Sequence, residues 1–576
     1  MSRRLPLVLL ALAIAPYFLD LDGSSIWDAN EAFYVETPRE MMERGDYVSP
    51  QFNYEPRLNK PVLSYWIVAG FYHVLGISPG VQRIPIAIGA VVMIATAFFL
   101  AWAAAGEPGS AQSETAAAAS APRRSDSVRE GRATGDEHRW AAAVWAALGL
   151  AITPRLLMFA RRIFIDIYIS MFMGVTLLFF ALAERYPARR RVFLPLMYVA
   201  VGLGVLTKGP IAIAVPGLVF ALYLVVHGEL RRVRSMMVPA GVLIVAAIVV
   251  PYCIALYTRE GWGPISSFIL GENVARYTEG LGVDAERPIW FYLPVIFSDG
   301  FPWSLLLFVA AAAWLADRRR EPPADAARRI QTLLWLWIVA IVLFFTASAA
   351  KQDLYIFPIV PAVAALAGVA LARRLTAGVR WTAVAIGVVV MIAGAGVVYL
   401  VGSPASIYSI DGARPMGLAA VSGGLVVVIA ALAGRARLAL VGAAATFIVL
   451  DWIFVLRVLP GFERYKPVPG FARTLASRLH EGDEVVTYDE ALPSLVFYLR
   501  RHVDPYFVAE QVIERFNSGR TVYAVLSATN YQELAPHIGS PTCVIDRRPT
   551  FDVKLKNMLS QQPLPELVLI TNQCSE

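Results

Sequence analysis

The sequence predicts a polytopic α-helical membrane protein of about thirteen transmembrane helices, followed by a small C-terminal α/β domain. Three observations carry this. Of 576 residues, 57% are hydrophobic and 16% charged, against roughly 45–50% and about 25% in soluble domains. The imbalance is confined to residues 1–457, a series of apolar runs, whereas 460–576 have soluble composition and ordinary domain size. The basic residues cluster in every second loop.

A span needs about 20 mostly apolar residues. Thirteen runs are read as spans, near 5–20, 83–104, 140–160, 163–183, 193–207, 209–227, 236–257, 290–315, 330–349, 355–372, 381–402, 415–433 and 438–457. The start, MSRRLPLVLLALAIAPYFL, has the arginines and apolar stretch of a signal peptide without a clean small-x-small site. It is read as an uncleaved first helix, a signal peptide being the alternative. The formal charge of +7 sits in short clusters between apolar runs, which reads as membrane topology rather than nucleic-acid binding. Arg123, Arg124, Arg129, Arg132 and Arg139 follow the second span; Arg185, Arg189, Arg190 and Arg191, then Arg231, Arg232 and Arg234, occupy later alternate loops. The series continues through Arg318 to Arg329, Arg373 to Arg380, and Arg435 and Arg437. The N-terminus is therefore expected in the cytoplasm and the C-terminal domain outside. Residues 105–139 are low in complexity and are expected to be a disordered cytoplasmic insertion.

The first external loop, residues 21–82, is long, and 31–44 and 61–75 read as two amphipathic interfacial helices. Asp28, Glu31 and Lys60 lie within this loop. Arg161, Arg162, Asp166, Lys208, Glu272, Arg276, Lys351, Asp353 and Tyr355 fall at outer helix ends. Each alone reads equally well as a snorkelling anchor or a structural pair. Gathered on one face, they suit chemistry on an anionic lipid: cations for a phosphate, a carboxylate for a proton.

Six segments, in order, carry a resemblance: WDANEAFYVETPREMMERGDY, FNYEPRLNKPVLSYW, RRIFIDIYI, LTKGPIAIAVP, ERPIWFYLPVIFSDGFPW and KQDLYIFPIVPA. The first is similar to W-D-x-D-E-x-x-Y-x-E…REM…GDW and the second to N-G-x-x-x-x-E-K-P-P-L-x-Y-W. Over roughly residues 20–372 the chain resembles the aminoarabinose transferase and protein O-mannosyltransferase-like group of bacterial membrane glycosyltransferases, of GT-C architecture. That resemblance implies a polyprenyl-phosphate sugar donor and a lipid, glycan or protein acceptor, with membrane lipids around it and no nucleic acid. It implies an outer-face reaction, by direct displacement with inversion, at a bacterial inner membrane whose periplasmic side holds the C-terminal domain. Lys60 and Tyr355, then Arg276, inherit contacts to the donor phosphate, and Tyr34 joins them as a substrate-binding residue. Lys208 and Lys351 are expected to line the cavity or touch phosphates, and Asp166 to lie near the site, paired with Arg161 or Arg162.

The chain departs from the pattern where it has Asn30 in place of Asp. Asp28, two residues earlier, is favoured for the acid–base role with Glu31 in support; the alternatives are Glu31 itself, an impaired chain, or Asp28 as a helix cap. Asn59 stands where the aminoarabinose transferases have Glu, and ERPIW lacks the His often found before its Pro. No metal or other cofactor is therefore expected. A transporter or flippase would instead show inverted repeats and mid-span charges; an inactive scaffold would not depend on Asp28 or Lys60.

In the C-terminal domain, GFARTLASRLH reads as helix and DEVVTYD, TVYAVLSA and ELVLITN as strands, with PSLVFYLR open to either. Cys543 and Cys574 can pair if the domain faces an oxidising compartment, which spacing alone leaves open.

Overall fold

A computed structural model describes residues 4–28, 30–106, 124–280, 287–318, 326–373, 376–402, 406–551 and 563–574. Among them, nine helices are long and apolar enough to cross a membrane, and eleven if two bent pairs each count as one span. The chain is a multi-pass membrane protein. All thirteen expected spans meet a helix, but Arg4–Tyr17 and Ile211–Val226 are shorter than a full crossing.

The bundle begins with α1 (Arg4–Ile14) and continues after the external loop with α4 (Pro79–Ala104), α5 (Arg124–Ala151) and α6 (Pro154–Arg161). Pro154 supplies no backbone N–H to the ladder, and the chain bends by 53° between α5 and α6. α7 (Asp166–Arg185), α8 (Arg190–Lys208), α9 (Ile211–Val226) and α10 (Val238–Glu260) follow. Then come α11 (Tyr292–Asp299), α12 (Leu307–Arg318), α13 (Ala326–Thr346) and α14 (Val360–Ala372). α15 (Ala377–Val401), α16 (Ala413–Leu432) and α17 (Ala436–Ile453) close the bundle. α15 and α16 approach so closely that a Cβ on Gly394 would meet the Gly417 carbonyl oxygen at 2.6 Å, the small-residue packing of membrane helices.

The insertion differs from expectation. Residues 107–123 lie outside the described residues, but the backbone is helical from Arg124, because a helix nucleated by the apolar span adds one hydrogen bond per further residue at little cost. The external loop forms α2 (Asn30–Arg44), a hairpin β1 (Gln51–Phe52) and β2 (Glu55–Pro56), and α3 (Leu63–Leu75). α2 is not a surface amphipath: Glu31, Glu36, Arg39 and Glu40 are all buried. Arg39 forks onto both oxygens of Glu36 at 2.6 and 2.7 Å, and Glu40 accepts the N–H groups of Asn53 and Tyr54 at 2.8 and 3.1 Å. Those pairings make the burial tolerable.

Residues beyond the bundle form α18 (Val468–Ala476), β3 (Glu484–Tyr488), α19 (Ser494–Leu499), β4 (Asp504–Tyr506), α20 (Ala509–Phe516), β5 (Val522–Ser527), α21 (Ala528–Leu534), β6 (Cys543–Pro549) and β7 (Glu566–Thr571). The sheet order is β4-β3-β5-β7-β6, parallel through β4, β3 and β5 and antiparallel from β5 through β7 to β6. PSLVFYLR is thus largely helix, while β4 and β6, too short or too polar to stand out, are additions. Cys543 and Cys574 are bonded, with Cα atoms 5.7 Å apart.

Candidate functional site

Two buried arginines set the position of the external loop. Arg83 of α4 donates to the carbonyls of Leu21, Ser24 and Ser25 at 2.6, 2.5 and 3.2 Å. Arg161 of α6 donates to the carbonyls of Leu19 and Asp20. The loop is thereby drawn over the bundle, and α2 begins at the rim of a cavity of 410 Å³.

Six parts of the chain wall this cavity. α2 contributes Asn30 and Tyr34, and the segment before α3 contributes Arg57, Asn59 and Lys60. The turn into α7 contributes Asp166, and the end of α8 contributes Lys208. A π-helical run, Ser267–Ala275, and the turn after it contribute Glu272 and Arg276; residues 345–358 contribute Tyr355. The π-helical widening is held by the Asn273 amide, which donates to the Phe268 carbonyl at 2.8 Å. Gly209 ends α8 at φ +85°, and a Cβ there would meet the Phe268 ring at 2.5 Å, so only glycine lets Lys208 and Phe268 face the same space.

The electrostatics are asymmetric. Lys60 Nζ lies 2.6 Å from Glu272 Oε2, and Arg276 Nη2 lies 3.4 Å from the same oxygen. Lys208 pairs with Asp166 and sits 5.6 Å from the centre of the Tyr355 ring. The Arg57 guanidinium lies 3.8 Å from the Phe33 ring centre and has no carboxylate partner among the described residues. Four cations thus face two carboxylates, which leaves room for an anion. Burial draws the Lys60 pKa down, opposed by its hydrogen bond to Glu272.

Of the residues the sequence singled out, Lys60, Arg276, Tyr355, Tyr34, Asp166 and Lys208 come together here. Lys351 does not: its ammonium donates to the Ser348 carbonyl at 2.9 Å, off the wall. Asp166 pairs with Lys208 rather than with Arg161 or Arg162, which are turned to the loop carbonyls and to Glu31.

Asp28 and Glu31 are also off the wall, a placement that does not suit the acid–base role expected of them. Glu31 is buried, accepting Trp27 N–H at 3.0 Å and Arg162 Nε–H at 3.1 Å, with Arg83 3.9 Å away. It holds the start of α2. Asp28 accepts the Ser494 N–H at 2.8 Å and the Ser494 hydroxyl at 2.5 Å, tying the loop to α19. It therefore caps no helix of its own loop. Asn30, between them, is the residue that reaches the cavity.

The C-terminal domain holds the loop at further points. Lys466 bonds Ser24 Oγ and the Ser25 carbonyl, both at 2.8 Å, and the Asn53 amide bridges the Val503 carbonyl and N–H at 2.8 and 2.9 Å. Tyr498 accepts Ile26 N–H at 3.1 Å.

Sequence reasoning missed Arg57 and the part played by Glu272. The nearness of Arg57 to Lys60 was a usable signal, whereas the pairing of Glu272 with Lys60, 212 positions away, was not. Asp166 and Glu272 are each engaged by cationic side chains, the nearby position 59 is an amide, and no group of three or more His, Cys, Asp or Glu gathers among the described residues.

The family model for dolichyl-phosphate-mannose-protein mannosyltransferase matches residues 138–254. The undecaprenyl phosphate-alpha-4-amino-4-deoxy-L-arabinose arabinosyl transferase of Pseudomonas aeruginosa (strain LESB58) is 28% identical over 387 residues, which is 66% of this chain and 62% of that protein. The enzyme of the same name from Pectobacterium carotovorum subsp. carotovorum (strain PC1) is 26% identical over 364 residues, 61% of this chain and 56% of its own length. The chain thus spans about three fifths of the length of the curated relatives it matches. Among solved structures, ArnT from Cupriavidus metallidurans bound to undecaprenyl phosphate matches 100% of this chain and 99% of its own, with a TM-score of 0.76 at 21% identity. The apo state of that protein matches 98% and 97%, with a TM-score of 0.72 at 22% identity. The shared property at this level is the fold.

Proposed function

We propose that this aminoarabinose transferase-like chain of GT-C fold is a glycosyltransferase that moves a sugar from a polyprenyl-phosphate donor to a lipid, glycan or protein acceptor. The observation that carries the reading is the cavity wall, where four cations from three separate parts of the chain outnumber two carboxylates. A polyprenyl phosphate leaving group gains negative charge as its bond to the sugar C1 breaks, and fixed cations stabilise that charge. Lys60, Arg276 and Arg57 hold the phosphate, and the Tyr355 hydroxyl orients it.

The acceptor oxygen attacks C1, the C1–O bond to phosphate breaks, and the acceptor proton passes to a carboxylate. Asp166 takes that proton. Glu272 engages two cations on the phosphate side, whereas Asp166 engages Lys208 alone, and a bound phosphate competes for that lysine. Asn30 has no proton-accepting group and orients substrate by hydrogen bonding. The names of the relatives make undecaprenyl phosphate-linked 4-amino-4-deoxy-L-arabinose the first donor to test. The basic loops of one face and the bonded Cys543–Cys574 pair support a bacterial inner membrane setting, with the cavity and the C-terminal domain periplasmic.

The test is transfer by the purified full chain from radiolabelled polyprenyl-phosphate sugars to membrane lipid and protein acceptors. Lys60→Ala is expected to lower kcat/KM by about 10²–10³. Asp166→Asn is expected to lower kcat by about 10²–10⁴, with Glu272→Gln less affected. Full turnover by folded Lys60→Ala would refute the phosphate site, and full turnover by Asp166→Asn would move the base elsewhere.

A further inference from the structure

A second concavity, of 570 Å³, lies between α9 and α10 and is floored by α8. Its wall is apolar, with Met197 and Val201 on the floor, Gly217 and Phe220 on one side, and Val242 and Val249 on the other. α10 packs against α8 while α9 turns toward α13, so the space between α9 and α10 stays open to the bilayer. Groove and candidate catalytic cavity share no wall residue: the cavity reaches Thr207, Lys208 and Ile211, and the groove starts at Val205 and Ile213.

The far end of the groove is walled by Val233 and Met236, in and beside the turn Leu230–Ser235. Within that turn Arg232 is committed to Glu184, at 2.7 Å, and to Glu229. Arg231 and Arg234 are exposed and make no ion pair among the described residues. From Val238 to Val250 the wall runs about 18 Å at ~1.5 Å per residue, close to half of a ~30 Å hydrocarbon core. Spread over that length, 570 Å³ gives a cross-section of about 30 Å², against roughly 80 Å² for a helix ~10 Å across. The space is that of one extended hydrocarbon chain, and the turn Leu230–Ser235 at its end carries Arg231 and Arg234.

We propose that this groove binds an anionic phospholipid from the leaflet at the arginine-rich face, one acyl chain lying between α9 and α10 and the phosphate resting at Arg231 and Arg234. Such a lipid fills the gap beside α10, whose membrane-spanning window is only 6% buried by protein. A polyprenyl tail is a poorer occupant, since its phosphate belongs in the other cavity and no shared wall joins the two.

The test is native mass spectrometry of the delipidated full chain titrated with phosphatidylglycerol or phosphatidylcholine, with undecaprenyl phosphate as competitor. Wild type is expected to retain phosphatidylglycerol preferentially. Gly217→Leu fills the groove from a position where an added Cβ meets nothing within 4 Å, and should lower retention at least tenfold. Arg231→Gln and Arg234→Gln should each lower it about fivefold and weaken the headgroup preference, and the double variant should erase that preference. Equal retention of both lipids by wild type, or retention unchanged in these variants, overturns the proposal. Displacement by undecaprenyl phosphate also overturns it and gives the groove to the donor tail. If Gly217→Leu fails to keep the wild-type melting temperature, the exposed arginine variants decide the matter.

Discussion

Asp28→Asn is expected to keep sugar transfer and to remove a pH dependence from the attachment of the C-terminal domain. In the wild-type chain the Asp28 carboxyl meets the Ser494 N–H and hydroxyl. Burial raises its pKa from 3.8 to about 7, outweighing those hydrogen bonds, which act to lower it. The folded chain therefore holds this proton more tightly than the unfolded chain. The stability that results is complete below pH 3.8 and is lost as pH rises to about 7. At ~1.4 kcal/mol per pH unit, the loss across that window is on the order of 4 kcal/mol. Asparagine keeps an acceptor for the Ser494 N–H and carries no charge, so its melting curve should be flat across the same window and no lower than wild type at pH 8. Asp28→Ala leaves both Ser494 groups without a partner, and should cost about 1–3 kcal/mol for each. Thermal melts at pH 5 and pH 8, with limited proteolysis of the C-terminal domain and the transfer assay on the same preparations, read all three effects. A well-folded Asp28→Asn that has lost transfer, or that retains the wild-type pH dependence, would refute the reasoning.

Three further outcomes follow from the same contacts. Asn53→Ala removes two hydrogen bonds to Val503 and places alanine at φ +60°; it should lower stability by roughly 2–4 kcal/mol, read as a shift of the denaturation midpoint. Cys543→Ser opens a 31-residue separation and should cost about 2–4 kcal/mol, with reductant having no further effect on the variant. Arg57→Gln, which removes a cation with no carboxylate partner among the described residues, should raise the KM for the donor about tenfold or more without lowering the melting temperature.

The membrane class, the helix order and most of the cavity cations were legible in the sequence, because each depends on local composition. Apolar runs of span length have few other uses; Lys208 and Arg276 stand at helix ends where a charge is costly unless it acts, and Lys60 stands in the long external loop. The burial of α2 was not legible, since its mixed composition reads as a surface helix until Glu36 and Glu40 find Arg39 and the β1–β2 turn. Nor could composition separate Asp28, Asn30 and Glu31. They are adjacent in the chain, yet Ser494, 466 residues on, takes Asp28, and Arg162, 131 residues on, takes Glu31. The sequence alone determined that charge gathers on one face of a membrane bundle. Which charges face the cavity was decided by contacts between distant segments, because a buried carboxylate turns toward whatever donor the fold places within hydrogen-bonding reach.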